Sequence, residues 1–266
     1  MGWGTMKKPL LDVIFMSEKR KGVLLLLKDG AKKMEYLLNS LDTTRQALLP
    51  QIKTLEEHYL VNKYDDTYEL TTIGELVTDD MFPLLNTLEV LDSDVDYWGT
   101  HNLNFIPPHL LKRMNELGGC EIIKPLVSEM YDLNAKITNS SYISNSVNMI
   151  AASFHPSYPT VFSEMARKNV NVNAIFSKDV IDTLQENHYT FLEEMTKGKS
   201  FNIFVHHKKL DFLAFLVNDY YTLMRLLTNE GEIDGQYIMC SNLAALKWGK
   251  YLFDFYLKDS IPITEL

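Results

Sequence analysis

The chain has 266 residues, of which 46% are hydrophobic and 23% charged, and a formal net charge of −9. This composition fits a globular protein with room for two domains and excludes a disordered or fibrous chain. No apolar run approaches the roughly eighteen residues of a membrane helix, and Met1-Gly2-Trp3-Gly4-Thr5 lacks the basic and apolar regions of a signal peptide, so a cytoplasmic protein without a membrane partner is expected. Cys120 and Cys240 stand far apart without metal-ligand spacing. Buried free thiols are expected, and neither a metal site nor a cofactor is implied.

In chain order, Lys19-Arg20-Lys21 leads into the apolar run Val23 to Leu27, which Asp29-Gly30 ends as a helix terminus. Met34, Tyr36, Leu37 and Leu38 predict a second short helix. Asn39-Ser40-Leu41-Asp42 makes a turn in which Asp42 or Thr43 would cap the next helix. From Thr44 to Leu55, apolar Leu48, Ile52 and Leu55 recur at helical spacing and leave Thr44, Arg45, Gln46, Gln51 and Lys53 mostly on the other side. Pro50 lies inside this helix, where it predicts a kink or a shortened segment. Tyr59 to Tyr64 and Thr67 to Leu70 then read as two strands around the acidic turn Asp65-Asp66.

Three helices followed by a hairpin form the pattern of a winged helix-turn-helix, a fold that reads duplex DNA. Thr43, Thr44, Arg45, Gln46, Gln51, Lys53 and Lys63 are its candidate DNA contacts, because Arg and Gln suit base edges and Lys suits phosphates. Met1 to Tyr64 holds eleven Lys and Arg against seven Asp and Glu, a balance of +4; the remainder holds fifteen against twenty-eight, a balance of −13. Positive charge therefore gathers around the candidate reader, as phosphate binding favours. The other use of such a domain is docking to a protein.

Thr71-Thr72-Ile73-Gly74 opens a long helical pattern with Ile73, Leu76, Val77, Leu84, Leu88, Leu91 and Val95 near one face and a bend expected at Pro83. Such a stripe serves either as the seam of a homodimer or as an intramolecular connector. Asp96-Tyr97-Trp98 and Asn102 to Pro108 read as an irregular link, and His109 to Leu117 as a helix. Strands are expected at 120–123, 147–154, 170–176, 201–205, 212–217 and 221–227; helices are expected at 158–168, 178–195 and 243–257. The whole is α+β / α/β: a winged helix over 6–75, a connecting helix and linker over 76–108, and an α/β effector domain over 109–266.

The turn Phe154-His155-Pro156-Ser157-Tyr158 follows a strand and precedes a helix, a place where open α/β sheets put ligands. His155, Ser157 and Tyr158 are the candidate effector-binding residues, with Ser157 or His155 capping a helix whose N–H groups could receive an anion. A capped turn with a packed aromatic is the plainer alternative. Trp248 and Tyr251 are assigned to the core rather than to a pocket.

Several of these stretches resemble a known family, the archaeal winged-helix regulators of the Fil-type methanogenesis-regulator group. The resemblance runs from about Leu10 to Tyr256. It is carried by Leu48-Leu49-Pro50-Gln51-Ile52-Lys53, Tyr68-Glu69-Leu70-Thr71 with Ile73-Gly74, Asp96-Tyr97-Trp98, Ile106 to Leu111 with Arg113, His155-Pro156 with Tyr158-Pro159, and Ala245 to Gly249 with Leu252-Phe253. It implies a DNA-binding transcriptional regulator with a sensor-like domain and identifies neither operator nor ligand. The residues taken together are read as a homodimer on double-stranded DNA with a small-molecule effector or, alternatively, a docked protein partner.

An enzyme is not expected. His206-His207-Lys208-Lys209 looks like the His-x-Lys element of phospholipase-D-like enzymes, but Leu213 or Ala214 stands where either register needs an Asp. Glycine-rich phosphate loops, His-Glu-x-x-His and a serine elbow between glycines are all missing from the sequence.

Overall fold

The computed structural model describes residues 7–126, 128–129, 132–198 and 200–264. The chain divides into two compact units, Met1–Leu85 and Asn86–Leu266.

In the first unit, α1 (Leu10–Phe15) precedes α2 (Glu18–Leu27), whose N-cap Ser17 accepts the Arg20 N–H at 3.3 Å. Gly30, at φ 100°, turns the chain past the helix end, which a side chain would resist. Strand β1 (Lys32–Lys33), α3 (Met34–Ser40) and α4 (Arg45–Glu57) follow. Thr44 caps α4, in place of the expected Asp42 or Thr43: its hydroxyl accepts the Ala47 N–H at 3.4 Å, while Asp42 serves the turn at φ 42°. Helix α4 passes through Pro50 without being shortened. The proline removes the one N–H that would reach the Gln46 carbonyl, and that carbonyl belongs to an exposed residue, where water can satisfy it.

Strands β2 (Val61–Tyr64) and β3 (Thr67–Leu70) join across Asp65-Asp66 and, with β1, form a sheet in the order β1-β3-β2. Leu24, Leu27, Met34, Leu37, Leu48, Ile52, Leu55 and Tyr68 meet in one core that buries the apolar faces of α2, α3 and α4. This is a winged helix-turn-helix.

Helix α5 (Thr72–Asp92) contains Pro83, and the division between the two units falls within it. The Thr71 hydroxyl accepts the Gly74 N–H at 3.0 Å, a cap that fixes where α5 begins. Met81 and Leu85 turn into the first core and Val90 and Leu91 into the second, whereas Ile73, Leu76, Leu84 and Leu88 stay exposed.

The second unit opens with α6 (Val95–Thr100), capped by Asp94, and α7 (Pro108–Leu111) followed by a 3-10 turn at Met114–Leu117. Then come β4 (Glu121–Ile123), α8 (Ala135–Ser141), β5 (Ser146–Ala151), α9 (Tyr158–Arg167), β6 (Asn171–Ser177), α10 (Lys178–Asn187) and α11 (Tyr189–Lys197). Last are β7 (Phe201–His206), β8 (Phe212–Val217), β9 (Thr222–Leu226), β10 (Tyr237–Cys240), α12 (Leu243–Leu257) and β11 (Ser260–Pro262). The strands form one mixed sheet in the order β11-β7-β6-β5-β8-β9-β10-β4, parallel only from β5 to β7.

Both faces of the sheet are covered, but unequally. On one face Phe212, Phe215, Met224, Leu226 and Ile238 pack with Trp248, Leu252 and Phe253 of α12. On the other, Val147, Met149, Val172, Ala174 and Ile203 pack with Phe162 of α9, Leu184 of α10 and Leu192 of α11. Strand β9 shows what this does farther along the sheet: Thr222, Met224 and Leu226 are buried, while Leu223 and Arg225 on the opposite face are half-buried.

Four expectations change here. The helix expected from His109 to Leu117 is the short α7 and a separate 3-10 turn, with Lys112 and Arg113 between them. The single helix expected from Lys178 to Met195 is two, broken at His188, and Asp96-Tyr97-Trp98 belongs to a helix rather than an irregular link. Cys120 and Cys240 are bonded, not free thiols, with Cα atoms 4.3 Å apart. Antiparallel pairing of β4 with β10 sets Glu121 against Met239, and the next step of that ladder brings the two cysteines together.

Two stability changes should follow. A Cβ at Gly74 would stand 2.0 Å from the Leu60 carbonyl oxygen. Gly74→Ala should therefore cost about 1–3 kcal/mol by overpacking, read as a lower urea midpoint at constant slope. Reducing Cys120–Cys240, whose cysteines are 120 residues apart, should cost the second unit up to about 4–5 kcal/mol and lower its melting temperature. An unchanged midpoint under reductant would remove the bond from the account of stability.

Candidate nucleic-acid interface and effector cavity

Helix α4 divides its residues sharply. Leu48, Ile52 and Leu55 are fully buried, and Arg45, Gln46, Leu49, Pro50 and Lys53 are exposed on the opposite side. Thr44 is exposed, although its hydroxyl is engaged in capping; Thr43 is half-buried. Gln51 is turned inward. Its side-chain oxygen accepts Arg20 Nη1 at 2.6 Å and Ser17 Oγ at 3.2 Å, so it ties α2 to α4.

The Arg45 guanidinium pairs with the Asp66 carboxylate on the hairpin turn, joining the start of α4 to the wing. Both side chains are more than half exposed, at 56% and 53%, so the pair contributes at most about 1 kcal/mol and an incoming phosphate can replace Asp66. Lys63 lies on β2 with its ammonium 5.8 Å from the centre of the Tyr68 ring. The structure thus brings Thr44, Arg45, Gln46 and Lys53 to one surface and Lys63 to the wing, and it assigns Gln51 to packing.

In the second unit, the turn before α9 is arranged differently from the expected anion cradle. Ser157 is at the N-cap position but its hydroxyl makes no capping bond. Its N–H is taken by His155 Nδ1 at 3.1 Å, the Tyr158 N–H by the His155 carbonyl at 2.9 Å, and Pro159 has no N–H. Of the N–H groups at this helix start, those of Ser157 and Tyr158 are taken and Pro159 has none, so the turn meets the cavity mainly through side chains. His155 and Tyr158 line a cavity of about 480 Å³, and exposed Ser157 does not.

That cavity lies over the sheet face that α12 does not cover, beside α8 and α9. Its polar members include Tyr158, Arg225, Tyr237 and Asn134; its apolar members include Met149, Phe162 and Met165. Burial pushes the Tyr158 phenol up to about 12, with Arg225 pulling the other way, so the phenol is a neutral donor near neutral pH. Asn134 Oδ1 accepts the Ile137 N–H at 3.1 Å and its Nδ2 donates to the Tyr237 hydroxyl at 2.7 Å. Because Tyr237 accepts there, its own proton remains to be donated.

Arg225 carries a detectable sequence signal, since it is the one charge in the strand Thr222-Leu223-Met224-Arg225-Leu226. Asn134 and Tyr237 lie in segments without a usable hydrophobic period. Trp248 is core, its indole N–H donating to the Leu110 carbonyl at 3.0 Å, whereas Tyr251 is half-exposed under the Arg113 guanidinium. His206 is buried against Ser260 and Tyr256, Lys208 pairs with Asp259, and Lys209 pairs with Asp211. Those residues point to different partners and do not converge on a site.

Residues 130–259 match the family described as methanogenesis regulatory protein FilR1, middle domain, and residues 11–93 match the HVO_A0261 N-terminal domain. The methanogenesis regulatory protein FilR1 of Methanothrix harundinacea is 22% identical over 260 residues, covering 96% of this chain. The chain spans 58% of the length of that relative. Among solved structures, the archaeal chromatin protein TrmBL2 is similar over 96% of this chain and 97% of its own, at 11% identity and a TM-score of 0.44. NucT from Helicobacter pylori is similar over 54% of this chain and 98% of its own, at 12% identity and a TM-score of 0.39. Both scores fall below 0.5, and neither likeness says what this chain does. Among the described residues no helix is long and apolar enough to cross a membrane. The chain is thus similar to one regulator-domain family over the sheet and to a second N-terminal-domain family over the winged helix.

Proposed function

We propose that this protein is a cytoplasmic transcriptional regulator that binds double-stranded DNA through its winged helix, as a homodimer, and is modulated by a small molecule in its C-terminal domain. In this reading residues 6–75 are the reader, 76–108 the connecting helix and linker, and 109–266 the effector domain. The observation that carries it is the polarity of α4: three buried leucine and isoleucine side chains hold the helix down, and Arg45, Gln46 and Lys53 are left on the outer surface beside the wing. A recognition helix needs that arrangement to enter a major groove. The match of residues 130–259 to the FilR1 middle domain and the likeness to a methanogenesis regulatory protein support the same reading.

Arg45 and Gln46 would contact base edges, and Lys53 and Lys63 phosphates. Gln51 contributes by holding α4 at its angle on α2. The second copy would dock along α5, where Ile73, Leu76, Leu84 and Leu88 form an apolar stripe that is between 42% and 67% exposed in the single chain. Two-fold pairing of such a stripe would bury it and present two readers to a symmetric operator.

Arg45→Ala or Gln46→Ala should weaken specific binding by roughly 1–3 kcal/mol per lost base contact and relax base preference. Lys53→Ala and Lys63→Ala should weaken all sequences alike and each reduce the salt slope by about one. Titrations against operator and random duplexes at several salt concentrations check this; parental behaviour in all four variants would remove α4 as the reader. For assembly, Leu84→Glu combined with Leu88→Glu should convert dimers to folded monomers in the ultracentrifuge, because the seam would then bury like charges. Intact dimers in that variant would place the seam elsewhere.

A further inference from the structure

The cavity of the second unit has a defined polar end. Strands β8 and β9 pair Ala214 with Arg225, and β10 and β4 pair Tyr237 with Ile123. Between them, β9 and β10 pair Met224 with Ile238, so one step along that ladder sets Arg225 opposite Tyr237 on the same face. Ala214, Arg225, Tyr237 and Ile123 thus form a row across four strands, and all four line the cavity. Directly opposed residues of an antiparallel pair have Cβ atoms about 4.5–5.5 Å apart, close enough for guanidinium and phenol to grip one group together.

The Tyr237 hydroxyl is orientated before any ligand arrives. Asn134 is fixed by capping α8, which directs its amide at Tyr237 and leaves the phenolic proton to donate outward. Tyr158 lies within the field of Arg225 and is kept neutral by burial. Arginine supplies only donors, and its planar fork matches a carboxylate. Away from this row the wall has a pliant apolar part: Met149 and Met165 adapt to the shape of an occupant, beside Phe162, whose ring is stacked on Tyr158. Lys124, Glu129 and Asp132 also line the cavity; Lys124 is paired with Asp94 at 2.7 Å, and the two carboxylates disfavour a phosphate or a second carboxylate.

We infer that the cavity takes a small organic monoanion with an apolar body, its carboxylate held by Arg225 and Tyr237 and its body packed against Met149, Phe162 and Met165. A volume of about 480 Å³ suits such a molecule. The inference rests on the proposal that the C-terminal domain is a sensor, and it gives that sensor a ligand class.

The test uses the full chain with three probes of equal length: octanoate, octan-1-ol and octylamine. Octanoate should raise the melting temperature and bind at least tenfold more tightly than the alcohol, and the amine should not bind. Arg225→Gln should reduce the preference for octanoate over octan-1-ol at least tenfold, and Arg225→Lys should restore part of it. Tyr237→Phe removes one hydroxyl only and should weaken octanoate several-fold; it is the decisive variant if Arg225→Gln does not fold. Equal binding of acid and alcohol, parental octanoate binding in both Arg225→Gln and Tyr237→Phe, or no response to any probe would overturn the assignment. Measuring operator affinity with and without octanoate separates the two levels. Selective octanoate binding that leaves DNA affinity unmoved supports the ligand class and contradicts small-molecule regulation.

Discussion

Strand β9 buries Thr222, Met224 and Leu226 on one side of the sheet and leaves Leu223 and Arg225 half-buried on the other, and the character of the second unit depends on this asymmetry. Beneath β5, β6 and β7 the second face is packed by α9, α10 and α11, while on the other face Asn148, Asn173 and Asn202 form a hydrogen-bonded row across the same strands. Farther along, where β8, β9, β10 and β4 run antiparallel, α8 and α9 border a cavity. An arginine is tolerable on a sheet face only where space and polar neighbours accompany it. The unequal cover provides both, and the Cys120–Cys240 bond fastens the edge strand whose Ile123 closes the row.

The first unit solves a different problem, the exposure of one helix face. Helix α4 is held by Leu48, Ile52 and Leu55 in the core and by Gln51, which receives Ser17 and Arg20 from the start of α2. Arg45 reaches Asp66 across the hairpin turn, so the wing and the helix start are tied by a contact that costs little to open. The acidic turn that sets the wing therefore also occupies the cation nearest the helix start, and in the proposed complex DNA would compete with it.

What the sequence made legible was local. The apolar spacing of Leu48, Ile52 and Leu55, the Asp65-Asp66 turn and the Gly30 terminus each predict structure within a few residues, and the winged helix is built as they imply. Strands β5 to β9 were equally readable from their apolar runs. Short or interrupted elements were not: α6 is six residues of mixed aromatic and acidic character, and His188 divides a stretch whose periodicity looks continuous. Non-local pairing was out of reach. Nothing near Cys120 or Cys240 reports that β4 lies beside β10, and nothing near Arg225 reports that Tyr237 faces it. For the same reason, the effector residues expected from a strand-to-helix turn were only partly those that line the cavity: His155 and Tyr158 do, Ser157 does not, and the Ser157 and Tyr158 N–H groups are already used.

Reader and sensor readings both depend on the protein occupying particular places on duplex DNA. Genomic footprinting of the tagged full-length chain measures this directly. Discrete enriched sites that share a two-fold symmetric sequence are predicted, with half-site centres about one helical turn apart. Recovery of DNA no different from that of an untagged control, with the protein folded and present, would contradict the account.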